Sequence, residues 1–237
     1  MAAWPKRMMP AIRLMAVAIA VLLAGCRVDA IVPVNLSDVR KAITSNEPAE
    51  VTVRLLLTFT SRAWCDDMGA SLVMSLRGSG LNMMPVSCTQ EQGSAKWHGE
   101  LRMPIRLDPL PGEKAAEGDG AFASLAVKPD RDDGGALSVT AYLDAPRLKS
   151  AQASLLEFPA AQENADARIF DLSVTFMVKN DLAEVAALKF DAMTTEIDTA
   201  LAMPAGAVRS ITLSPLGVEK LLQEQSVQVF SMTAPAK

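Results

Sequence analysis

The sequence predicts an α+β fold with a mainly antiparallel sheet and a few short helices. Three observations predict it. Period-two alternation of apolar and polar residues recurs along the chain, most regularly over 96–108. Helical spacing is confined to short stretches, such as Leu36, Val39 and Ile43. Strands come in runs interrupted by a few helices, not in strict alternation, and this favours α+β over a parallel α/β layout.

The elements follow in order. Val28, Ala30, Val32 and Val34 alternate, without the Ser/Gly character of a flexible linker. Asn35 or Ser37 is placed to cap a short helix, and Asn46 and Pro48 make 44–50 a loop. Val51, Val53, Leu55, Leu57 and Phe59 share one strand face, opposite Thr52, Arg54 and Thr58. Residues 65–77 fit either period: Cys65, Gly69, Leu72 and Leu76 suit a helix, whereas Ala70, Leu72, Met74 and Leu76 suit a strand. The balance favours a helix ended by Gly78-Ser79-Gly80, with Met83–Thr89 returning as a strand. In 96–108, Trp97, Leu101, Met103, Ile105 and Leu107 oppose Lys96, His98, Glu100, Arg102 and Arg106, the pattern of a sheet with one wet side. Pro104 predicts an edge or a bulge there.

Proline, glycine and charge make 109–120 the candidate linker or subdomain break. Phe122–Lys128 and Leu137–Leu143 flank a polar tip and predict a hairpin. Asp144 and Pro146 open a helix carrying Leu148, Gln152 and Leu155. Ile169–Lys179 is a strand, Asn180-Asp181 a turn into Leu182–Phe190, and 192–202 fits no template. Ala207–Leu213 is a strand, Ser214-Pro215 the cap of a helix reaching Gln225, and Val227–Met232 the last strand. Strand, helix and longer strands recur over 51–108 and 137–190, the outline of a duplicated unit without residue identity to support it.

The N-terminus has a different build. Lys6, Arg7 and Arg13 precede an uncharged apolar run, Leu14–Leu23, which is the construction of a secretory signal peptide. The run is too short for the ~20 residues that cross a bilayer core. Leu23-Ala24-Gly25-Cys26 follows directly, and this tetrapeptide resembles the lipobox of bacterial lipoproteins. The resemblance covers residues 1–26 and implies cleavage before Cys26, a diacylglyceryl thioether on its sulfur, and acylation of its new amino group by a fatty acid such as palmitate. In Gram-negative lipoproteins an aspartate after the cysteine marks inner-membrane retention. Arg27 stands there, so the resemblance implies the outer membrane, facing the periplasm. Several acyl chains anchor stably, each methylene contributing about 0.8 kcal/mol. The expected organisation is a signal peptide over 1–25, a short lipidated tether over 26–34, one globular envelope-facing domain over 35–232, and a disordered tail over 233–237.

Three bases and no acid lie in 1–25, so a chain cleaved before Cys26 carries −7 against −4 for the whole. Net acidity disfavours nucleic acid, whose binding needs Lys and Arg on phosphates. Trp64, Trp97 and Tyr142 are the only Trp and Tyr beyond the leader, too few for stacking platforms. Beyond Cys26 the cysteines are Cys65 and Cys88, and in an oxidising compartment such a pair predicts one disulfide. The loop entropy model assigns it about 3.4 kcal/mol.

Catalytic signatures are scarce. His98, the single histidine, has Glu100 two residues on, so strand geometry puts both on one polar face; this allows an acid/base pair, but an exposed, solvated strand face is the favoured reading. Asp130, Asp132 and Asp133 suggest a calcium loop, but Gly134 takes the place of a ligand and a hairpin tip accounts for them. Asp66-Asp67 fit helix capping, and Met83, Met84 and Met103 fit core packing. No catalytic residue, cofactor or metal is expected. The expected function is a non-catalytic envelope lipoprotein that binds or scaffolds a protein partner. The alternatives are a carrier of an apolar ligand such as lipid and, more remotely, a carboxylate-based hydrolase.

Overall fold

The computed structural model describes residues 27–45, 49–59, 61–78, 83–91, 93–107, 123–129, 136–144, 147, 171–195 and 200–233. Along them run β1 (Arg27–Asn35), α1 (Leu36–Thr44), β2 (Ala49–Phe59), α2 (Arg62–Gly78), β3 (Met83–Glu91), β4 (Ser94–Leu107), β5 (Ala123–Pro129) and β6 (Leu137–Leu143). After them come β7 (Asp171–Lys179), β8 (Ala186–Phe190), β9 (Ala200–Met203), β10 (Val208–Thr212), α3 (Pro215–Glu224) and β11 (Ser226–Met232).

The alternating segments all become strands, and the described strands join one sheet. Its order is β10-β7-β1-β2-β4-β5-β6-β11-β8-β9, with β3 added to β4 off that path. The strands at the two ends of the path, β9 and β10, are consecutive in the chain and joined through residues 204–207. Thr194 bridges Leu213 nearby, so the sheet nearly closes into a barrel.

This overturns the α+β expectation. The chain is mostly β, and its sheet is mixed rather than mainly antiparallel: β1 pairs β7 in parallel, as β4 does β5. Period-two alternation reports a strand's two faces but not its neighbours or their direction. A run of twisted strands this long curls on itself, which leaves little edge exposed. The helices are not uniformly short either, since α2 has 17 residues. The duplicated unit fails on pairing. In the first copy β4 lies between β2 and β3, whereas β6, β7 and β8 of the second do not pair with one another.

Of the short tether expected over 26–34, residues 27–34 belong to β1, as the alternation of Val28, Ala30, Val32 and Val34 indicated, and β1 is hydrogen-bonded to β2 on one side and β7 on the other. The candidate break at 109–120 lies outside the described residues, yet Ile105 pairs Leu125 across it, so one sheet continues through both halves. The helix expected after Pro146, the hairpin tip with Asp130, Asp132 and Asp133, and 234–237 of the tail also lie outside. β4 is not an edge, because β2 pairs it from Ala95 to Ile105. On its other side β3 ends at Leu101 and β5 begins at Ile105. Pro104, which has no N–H, stands where one partner has ended and the next has not begun.

Alternate side chains point into the barrel. Val34, Ile105, Val127, Phe176, Phe190 and Met232, from six different strands, are each 1% exposed or less. α1 packs against β1, β2, β4 and β5 beside Asn35, α2 covers β3 and β4, and α3 reaches from β7 to β6 and β11. Ser214 caps α3, its hydroxyl accepting from the Gly217 amide at 3.1 Å. Ser61 does the same for α2, accepting from the Trp64 amide at 3.2 Å. Asp66 therefore does not cap α2; it pairs with Arg62 one turn back, at 3.5 Å. The indole of Trp97 lies against Gly69 of α2 and Gly99 of its own strand, where a β-carbon would collide with the ring.

Candidate functional site

The sequence singled out three cysteines and one histidine. Cys26 lies outside the described residues. What is described is its neighbour: Arg27 is the first residue of β1 and pairs Asp171. The Arg27 end of β1 is ringed by the end of β2, the start of β7 and the end of β10. The opposite pole carries α1, the 181–185 loop and the 204–207 turn.

Cys65 and Cys88 form a disulfide spanning 23 positions. Cys65 lies in the first turn of α2, and Cys88 faces inward on β3. Both are buried, at 0% and 9% exposure, so the bond is structural in its setting. It ties β3, which pairs only β4 among the described residues, to the helix above it. An edge contact between Phe59 and Trp64, centroids 5.2 Å apart, packs beside this end of the helix.

His98 lies on the outward face of β4, opposite Leu56 of β2 and Ser87 of β3. The β3–β4 register shifts between Pro85 and Ser87, and the bulge opens a cleft of about 330 Å³. Arg54, Leu55 and Leu56 line it from β2, Ser87 and Thr89 from β3, and His98, Gly99 and Glu100 from β4. The imidazole Nε2 is 3.0 Å from Thr89 Oγ1. Glu100 stands opposite Arg54 in the register of the β2–β4 ladder, with no ion pair formed between them. His98 and Glu100, read as two residues of one solvated strand face, thus join Arg54, Ser87 and Thr89 in a group of five polar side chains drawn from three strands. Arg54, Ser87 and Thr89 were missed as site residues. Arg54 was visible on the polar face of β2, but only the register of β3 and its bulge shows that the three strands converge.

A second polar constellation lies at the Asn35 pole. Asp181 accepts from the backbone N–H of Ser37 at 2.9 Å and from its hydroxyl. Partial burial raises the Asp181 carboxyl pKa, but the two Ser37 hydrogen bonds, with Lys179 nearby, outweigh it and hold the group below the usual carboxylate value. Arg40 pairs with Glu184 in the same loop. Asn180 is fully buried. Its Nδ2 donates to the carbonyls of Met203 (2.7 Å) and Glu184 (2.9 Å), and its Oδ1 accepts from the Leu182 amide (3.1 Å). These bonds are local ties between loops.

Among the described residues no three His, Cys, Asp or Glu side chains are placed to hold a metal ion, and no helix is long and apolar enough to cross a membrane. Of the three methionines read as core, Met83 and Met103 are buried and Met84 is 44% exposed. No protein-family model, no curated protein and no solved structure matches this chain.

Proposed function

We propose that this chain is a bacterial lipoprotein of the outer membrane, acylated at Cys26, whose non-catalytic barrel binds or scaffolds a protein partner in the periplasm. One observation carries the reading: β1 begins at Arg27, the residue after the lipobox cysteine, and is bonded on both sides. No slack separates the anchor from the folded body. Acyl chains on Cys26 therefore hold the Arg27 pole against the headgroups and turn α1, the 181–185 loop and the 204–207 turn toward the periplasm.

Binding of protein is favoured over carriage of lipid by the barrel's interior. A void large enough for water would leave its lining accessible to solvent-sized contact, and Val34, Ile105, Val127, Phe176, Phe190 and Met232, one inward residue from each of six strands, are at most 1% exposed. Side chains packed this closely, and not space for an alkyl chain, surround these six positions.

Intact mass spectrometry of the membrane-extracted protein tests the anchor, the expected species starting at Cys26 with a diacylglyceryl group and an N-acyl chain. Cys26→Ser should leave the protein unprocessed or soluble; a processed variant that still fractionates with membranes would sink the proposal. Partner binding is tested by crosslinking in native membranes. Stoichiometric protein in the crosslinked species is expected, whereas co-purifying lipid in a body released from its anchor would favour a carrier.

A further inference from the structure

The cleft beneath the β3 bulge has a chemistry that protein binding does not call for. Arg54 and Glu100 face each other across the β2–β4 ladder, and no ion pair of either is formed among the described residues. His98 stands one alternate position along β4 on the same face, within reach of Arg54 by the diagonal spacing of neighbouring strands. Its Nε2 is occupied by Thr89 Oγ1 at 3.0 Å, which fixes the ring and leaves Nδ1 as its second hydrogen-bonding position. Ser87 adds a hydroxyl from the third strand, and Leu55 and Leu56 supply apolar lining. At about 330 Å³ the cleft is at the small end of ligand sites.

A guanidinium, an imidazole and hydroxyls on one side and a carboxylate on the other make a site with both signs of charge. A simple anion satisfies Arg54 and His98 but meets Glu100; a simple cation meets the reverse. A short molecule carrying both charges satisfies all of them, with a phosphate in the fork of Arg54 and an ammonium on Glu100. We propose that this cleft binds a small zwitterion of the phosphoethanolamine type, its phosphate held by Arg54, His98 and the Ser87 hydroxyl, and its ammonium by Glu100.

Two sources share that chemistry: a lipid headgroup and the free compound. Leu56 pairs Asp29, only three residues from Cys26, or roughly 10 Å of strand at 3.3 Å per residue. With the body anchored as proposed above, that is headgroup height. Only this height rests on the anchoring proposal; the ligand chemistry does not.

His98 is the chain's only histidine, so its ring resonances report on the cleft without ambiguity. The experiment follows the imidazole signals of the full chain in maltoside micelles during titration with O-phosphoethanolamine, inorganic phosphate or ethanolamine. A saturable shift with phosphoethanolamine is expected, at concentrations at least tenfold below those needed for either fragment. Arg54→Gln should abolish it while the rest of the spectrum is retained, and Glu100→Gln should bring phosphoethanolamine and phosphate to similar affinities. No saturable shift, equal binding of phosphate by the unsubstituted chain, or saturation unchanged in Arg54→Gln would overturn the proposal. Nanodiscs with phosphatidylethanolamine that reproduce the shift, where phosphatidylglycerol nanodiscs do not, assign the source to lipid; a shift from the free compound alone assigns it to a soluble ligand. Cys26→Ser should leave the free-compound titration intact, so failure of the anchor and failure of the cleft are read separately.

Discussion

β3 and the β9/β10 seam face the same physical problem and meet it differently. Each is a place where the sheet runs out of partners, and unpaired strand edges are liabilities. β3 leans on β4 alone among the described residues, and it is fastened covalently to α2 by Cys65–Cys88. The seam has no such bond. Around it Asn180 donates its backbone N–H to Ala207 (2.9 Å), accepts from Gly206 (2.6 Å), and spends its amide side chain on Met203, Glu184 and Leu182. One edge is held by a bond that only redox chemistry breaks. The other is held by a buried polar knot whose strength depends on every member being satisfied.

If the two fastenings are independent, each should fail alone. Reduction of the disulfide, or Cys65→Ser with Cys88→Ser, should cost about 3 kcal/mol of stability, read from denaturant unfolding with and without reductant. Hydrogen exchange should then rise in β3 and α2 and stay unchanged at 203–207. Faster exchange at both places would mean that the staple also supports the seam. Asn180→Ala reverses the test. It strands two carbonyls and an amide in a buried setting, and the expected loss is about 2 kcal/mol, with exchange rising at Leu182 and Gly206 and not in β3.

The two fastenings were not equally legible. Cysteines announce themselves, because a lone pair without a Cys-x-x-Cys motif or histidine partners leaves few uses but a disulfide. Asn180 looked like an ordinary turn residue beside Asp181. Its role appears only when β7, β8 and β9 are brought together, and its bonds reach as far along the chain as Met203 and Ala207 with no periodic signal. The same limit explains the fold class. Strand faces were readable from Val51 to Phe59 and from Trp97 to Leu107, and α3 from its Ser214-Pro215 cap. β1 was half-read: its alternation was noted, yet its partner β7 begins at Asp171, beyond any local pattern. The cleft shows the limit again, since His98 and Glu100 were visible on one face whereas the bulge that opens the site belongs to β3.

A smaller effect tests how tightly the staple presses α2 onto the sheet. Gly69 lets the helix approach Trp97 closely, so Gly69→Ala must displace the ring or the helix. Overpacking of this kind costs about 1–3 kcal/mol, and Trp97 emission should move to longer wavelength as the ring gains water. With the disulfide reduced, the helix is freer to retreat and the penalty should shrink. An unchanged penalty would mean that Trp97, and not Cys65–Cys88, sets the distance.

The smallest expected effect lies at the seam's pole and depends on pH. Asp181 has a carboxyl pKa below the ordinary 3.8, so its ionised form is stabilised by folding. A group of this kind contributes stability that is present above the unfolded pKa and lost as pH falls through the folded one. At pH 7, Asp181→Asn should therefore cost well under ~1 kcal/mol, because the group is largely exposed and screened. The difference between the variant and the unsubstituted chain should narrow as pH falls from 3.8 through the lower folded value, beneath which both carry a neutral side chain. The disulfide has no proton to lose in this range, so exchange in β3 should stay flat across the same titration while exchange near Ser37 and Asp181 rises. If both regions loosened together in acid, the two fastenings would be parts of one cooperative unit, and the contrast between them would be one of chemistry alone.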